Sequence, residues 1–96
     1  MATIIVGMNV RPNMDVISDI EELKTEAFGI VENFIGKKLT DKDIIIEVKP
    51  LAFGLKELQV TFMAPGNMDQ NILEELFAAS EKVENMTVNR FELTRG

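Results

Sequence analysis

From Thr3 to Val10 hydrophobic and polar positions alternate, and Ile4, Val6, Met8 and Val10 share one face at period two. That pattern predicts a half-buried strand. Pro12, in Arg11-Pro12-Asn13, ends it because proline cannot donate to a ladder. The period then changes. Ile20, Leu23, Ala27, Ile30, Val31 and Phe34 recur at helical offsets behind Ser18-Asp19-Ile20-Glu21, which has capping-box spacing. Gly36 is placed to stop this helix. A second strand follows, with Ile44, Ile46 and Val48 on one face up to Pro50. Leu51-Ala52-Phe53-Gly54 interrupts the alternation, and Leu58, Val60 and Phe62 resume it on a third strand. Pro65-Gly66 signals a turn, after which Asn67, with Gln70 three positions on, is placed to cap a second helix. Ile72, Leu73, Leu76, Phe77 and Ala79 give that helix an apolar stripe. The last segment, Met86 to Leu93, alternates poorly. Val88 and Phe91 cannot share a face there without a bulge, so it reads as an edge strand.

The order βαββαβ predicts an α+β domain of the ferredoxin-like arrangement: a four-stranded antiparallel sheet in the order 4-1-3-2, with both helices on one face. The other face would carry Ile5, Glu47, Lys49, Glu57, Gln59 and Thr61 and be mostly polar. The 96 residues make one domain, 1–96, with no linker or low-complexity tract.

Composition narrows the chemistry. The chain has neither Cys nor His, which removes thiolate chemistry, the commonest transition-metal ligands and the usual neutral-pH base. No metal, cofactor or intrinsic catalysis is expected. A net charge of -6 repels phosphate backbones, so no direct nucleic-acid partner is expected. An RNA platform would also need exposed aromatics on the first and third strands, where this chain has Ile5, Gly7, Glu57 and Gln59. There is no apolar run of membrane-spanning length and no signal-peptide pattern, so a soluble cytoplasmic protein is expected. The pairs Glu21-Glu22 and Glu74-Glu75 point about 100° apart on their helices and suit the macrodipole better than an acid–base dyad. Asp41 and Asp43 lack the further ligands and the glycine of a cation loop. The glycines fit no phosphate-loop pattern. Arg11 falls near the place where an acylphosphatase-like cradle would want an arginine, but Pro12 and Asn13 do not make one.

Phe53-Gly54 is the most informative pair. The pattern alone favours Phe53 filling the core beneath a bulge, with Gly54 allowing a positive φ; an exposed aromatic anchor at a protein interface is the other reading. The run Pro50-Leu51-Ala52-Phe53-Gly54-Leu55-Lys56-Glu57-Leu58-Gln59-Val60 resembles the signature of the translation elongation factor 1-beta family. Leu73-Glu74-Glu75 and the stretch Val83-Glu84-Asn85-Met86-Thr87-Val88 leading to Phe91 continue the likeness over nearly the whole chain, in what looks like the short archaeal form.

The resemblance implies a guanine nucleotide exchange factor. Such a factor binds the GTPase elongation factor 1-alpha and speeds GDP release, so that GTP can reload. It also implies partner-binding roles for Phe53, Gly54, Phe91 and Arg95. One departure stands out. Eukaryotic members of the family end in Phe followed closely by a penultimate Lys that reaches towards the partner's magnesium site, whereas Leu93 stands where that Lys would align. Arg95 is the nearest cation. A free monomer is expected. The alternative on the same frame is an ACT-like regulatory domain that senses a small molecule.

Overall fold

A computed structural model describes residues 2–95, and of Arg95 the backbone only. Its elements are β1 (Ala2–Pro12), α1 (Ile20–Ile35), β2 (Ile44–Pro50), a single 3-10 turn (Ala52–Gly54), β3 (Lys56–Pro65), α2 (Gln70–Ala78) and β4 (Val83–Arg95). The strands form one open antiparallel sheet in the order β2-β3-β1-β4. This is the expected order, read from the other edge.

Alternation in β1 does what the period predicts. Ile4, Val6, Met8 and Val10 are buried, and Val6, Met8 and Val10 pair with Phe62, Val60 and Leu58 of β3. Leu23, Ala27, Val31 and Phe34 of α1 and Leu73 and Phe77 of α2 join those strand residues in one core. Both helices therefore cover the same sheet face. Phe34 meets Phe62 edge to face, with centroids 6.2 Å apart.

Both helix starts differ from the sequence reading. The N-cap of α1 is Asp19, whose carboxylate accepts the Glu21 N–H at 3.0 Å, and the capping box closes through Glu22 rather than running from Ser18 to Glu21. Ser18/Glu21 and Asp19/Glu22 both have the right spacing, and the carboxylate wins as the charged acceptor at a helix N-terminus. In α2 the cap is Asp69, not Asn67, and it accepts the Asn71 N–H at 2.8 Å. The cap moves inward because Met68, just before it, and Leu73 both reach the core, as in a hydrophobic staple. Ile72 and Ala79 stay exposed, so the buried stripe of α2 is narrower than expected.

A bulge in β4 settles the phase that the alternation left open. Gly7 pairs with Arg90 but Met8 pairs with Val88, leaving Asn89 as the extra residue. That extra residue turns Val88 and Phe91 to the same face, and both pack against the core. Asn89 donates to Asn9 Oδ1 at 3.2 Å. Gly7 makes room for it, since a Cβ there would lie 2.8 Å from Asn89 Oδ1. The strand runs longer than Met86 to Leu93 because its ends pair with Pro12 and Ala2.

Burial fades along β2. Ile44 is buried, Ile46 half-buried and Val48 exposed, although all three share a face. The β2–β3 hairpin thus runs out past the helices, and its tip carries no buried residue. The molecule is elongated, with extents of 42 × 23 × 23 Å.

Candidate partner-binding site at the hairpin tip

Pro50 ends β2 and a five-residue turn closes the hairpin. Leu51 N–H donates to the Leu55 carbonyl at 2.6 Å, and Leu55 N–H donates to the Ala52 carbonyl at 3.4 Å. Phe53 sits at the apex with φ 63° and ψ 31°, followed by Gly54 at φ 75°. Phe53 is the only non-glycine with positive φ among the described residues. A bulky side chain there is an outlier, because its Cβ crowds the backbone in the left-handed region. The ring is 99% exposed. The pattern reading that would bury Phe53 under a bulge does not hold: period-two patterning gives a side for a residue within a strand, and Phe53 lies outside both strands.

Beside the tip is an open cleft of about 290 Å³. Gly54 and Leu55 of the turn form one wall, and Pro12 at the end of β1, Met14 in the β1–α1 connection and Ile20 at the start of α1 form the other. Met14 and Leu55 are more than half exposed. Phe53, Leu55 and Met14 therefore gather apolar surface at one end of the domain. Two of the charged residues that line the cleft have partners of their own. Arg11 Nε lies 3.5 Å from Glu57 Oε2, and Asp19 is committed to its cap. Met14 and Leu55 were not singled out from the sequence. Their signal is an apolar residue in a short connection that no strand or helix period accounts for.

The four expected partner-binding residues do not converge. Phe53 and Gly54 share the hairpin tip. Phe91 pairs with Val6 in the middle of β1 and packs, half-buried, against the core margin, so it is not a free anchor beside Phe53. Arg95 pairs through its backbone with Ala2, at the opposite end of β1 from the tip; its side chain lies outside the described residues. Leu93, which the resemblance aligns with a penultimate Lys, is 60% exposed.

Three of the acidic candidates have partners of their own. Glu22 closes the capping box, and Glu21 lies 3.4 Å from Lys24. Asp43 accepts from the Thr40 N–H at 2.8 Å and from its hydroxyl at 3.1 Å, and these bonds hold its carboxyl below the ordinary aspartate value. Among the described residues, no group of three His, Cys, Asp or Glu is placed to share a metal ion, and no helix is long and apolar enough to cross a membrane. No protein-family model and no curated protein matches the chain.

Proposed function

We propose that this chain is a guanine nucleotide exchange factor of the elongation factor 1-beta kind, built on a ferredoxin-like frame and acting on the GTPase elongation factor 1-alpha. The observation that carries the reading is Phe53: 99% exposed, in a left-handed conformation, at the tip of a hairpin that extends past the core. The resemblance assigns the GTPase contact to this same residue. An isolated domain gains nothing from holding a phenyl ring in water on a strained backbone, so the arrangement is explained by something that receives the ring.

On this reading the factor works by binding alone. It stabilises the nucleotide-free GTPase, offsetting lost nucleotide contacts with protein contacts. Because the coupling is reciprocal, bound nucleotide weakens the factor's hold by the same factor. The chain contributes no bond-making group and needs neither metal nor cofactor of its own. It acts as a cytoplasmic monomer when free. The test is release of a fluorescent GDP from elongation factor 1-alpha with and without this chain. Acceleration at substoichiometric amounts is expected, and no acceleration at excess factor refutes the reading. A thermal-shift screen against free amino acids separates it from an ACT-like sensor, whose melting temperature would rise with its ligand.

A further inference from the structure

Charge is divided unevenly between the layers of this domain. The two helices with their caps Asp19 and Asp69 carry eight acidic residues against Lys24 alone. The net charge of -6 therefore belongs to the helix layer, and the strands and loops together are close to neutral. The hairpin tip departs from both. From Val48 to Lys56 it has two lysines, Lys49 and Lys56, and no acid. Lys49 pairs with Glu57 and Pro50 with Lys56, so alternation puts the two lysines on opposite faces of the ribbon, below Phe53. Both are exposed, and among the described residues neither forms a salt bridge. Glu57, opposite Lys49, lies 3.5 Å from Arg11 Nε instead. Asp19 and Glu84 stand on the far wall of the cleft that Lys56 lines, and Asp19 is held in its cap.

From this we infer that the surface receiving Phe53 is acidic at its rim: an apolar pocket for the ring, with carboxylates on both sides that take Lys49 and Lys56 as the tip enters. The inference rests on the function proposed above, and the surface belongs to elongation factor 1-alpha.

Two arguments lead there. Sinking the ring into a partner brings the rest of the hairpin tip up to that partner's surface. An ammonium group drawn out of water there without an anion is costly. A lysine stem can lie along apolar surface while its charged head stays at the edge, which suits a contact at the rim. The second argument concerns approach. A chain of net charge -6 is repelled by an acidic surface except where its local field is positive, so the two lysines make the tip the favoured end. A basic surface would draw in the helix layer instead of the tip.

Charges at a rim act mainly on the rate of encounter. The experiment therefore measures the second-order rate of stimulated release of fluorescent GDP from elongation factor 1-alpha. It is run at about 0.1 M and about 1 M salt, where the screening length is about 10 Å and about 3 Å. The parent chain is compared with two double variants, Lys49→Glu with Lys56→Glu, and Lys37→Glu with Lys38→Glu. The second pair makes the same change in net charge from exposed positions at the other end of the sheet, where Lys37 lines a groove with Ala2 and Thr3. The tip pair should be about tenfold slower than the parent at the lower salt and within about twofold of it at the higher. The distal pair should stay within about twofold at both, because its charges lie beyond the screening length. A tip pair as fast as the parent at the lower salt overturns the acidic rim and leaves exchange activity standing. A faster tip pair, which would mean a basic rim, does the same. A loss of equal size at both salts points to disturbed packing and also overturns it. Equal losses from the two pairs would make overall charge the cause, again against the inference. No stimulation by the parent refutes the exchange reading itself, and this inference with it.

Discussion

Gly54 offers the sharpest test of whether the turn conformation matters. It holds φ 75°, and a Cβ built there meets no heavy atom within 4 Å. A side chain at this position therefore has no steric cost from neighbours, and the whole cost is backbone conformation. An L-residue in the left-handed region costs about 1–2 kcal/mol, with Asn a tolerated exception. A β-branched residue costs more. Because 1.4 kcal/mol is a factor of ten, Gly54→Ala should depopulate this turn conformation roughly 5–30-fold. Gly54→Val should depopulate it further and Gly54→Asn only slightly. The turn lies outside the core and can relax, so the fold is spared most of this. A loss near 1 kcal/mol would lower the melting temperature by about 4–8 °C. Stimulated GDP release at limiting factor should then fall in the order Asn, Ala, Val while the circular dichroism spectrum stays native. If Gly54→Val stimulates release as well as the parent does, the turn geometry is not required. If all three variants fall equally, loss follows the presence of any side chain, and the conformational argument is wrong.

Two further outcomes follow from the same structure. Phe53→Ala should cost about 2 kcal/mol of GTPase affinity, roughly thirtyfold, in a titration of the nucleotide-free complex. Its melting temperature should move by no more than about 5 °C, because a core phenylalanine would cost about 3–5 kcal/mol and this one is not in the core; a larger fall would show that the ring supports the fold. Asp43 should titrate by NMR below the ordinary aspartate value, since the Thr40 N–H and hydroxyl favour its charged form. The sign follows from linkage: its contribution is present above the unfolded pKa and lost as pH falls through the lowered folded one. Thr40→Val should raise that midpoint, and no change would remove the hydroxyl from the account.

Much of the frame was legible because each element had its own period. β1 and β3 announced themselves by alternation, and α1 by its three-four spacing between a cap and Gly36. In β4 parity keeps Val88 and Phe91 off one face without a bulge, and the sequence did not say which way this falls; the looped-out residue brings both to the core. Caps were less legible, since Ser18 and Asp19, or Asn67 and Asp69, offer near-equivalent acceptors that only the three-dimensional fit of neighbours such as Met68 separates. The tip was legible only through the resemblance. Nothing in the polarity of Phe53 says that it points to water; its exposure follows from the hairpin outrunning both helices, a matter of how far each element extends. The cleft was beyond sequence reasoning, because it depends on the β1–α1 connection folding back beside a turn some forty positions later.

The separation of the two ends of the sheet sets a condition on any partner that uses both. The position in β1 that pairs with Arg95 is Ala2, and the hairpin tip lies beyond the other end of that strand. β1 alone spans about 33 Å at the rise of an extended chain. A partner touching both Phe53 and the residues near Arg95 must therefore reach along the length of the sheet, and the two contacts can share no atoms. Sites more than 7–10 Å apart without common partners behave additively within about 0.5 kcal/mol. In a double-mutant cycle on affinity for the nucleotide-free GTPase, Phe53→Ala and Arg95→Ala should add within that margin. Each alone should weaken binding if Arg95 supplies a cation to the partner. An interaction term well above 0.5 kcal/mol would mean that the two ends are coupled through the domain. No effect of Arg95→Ala alone would confine the working contact to the hairpin tip.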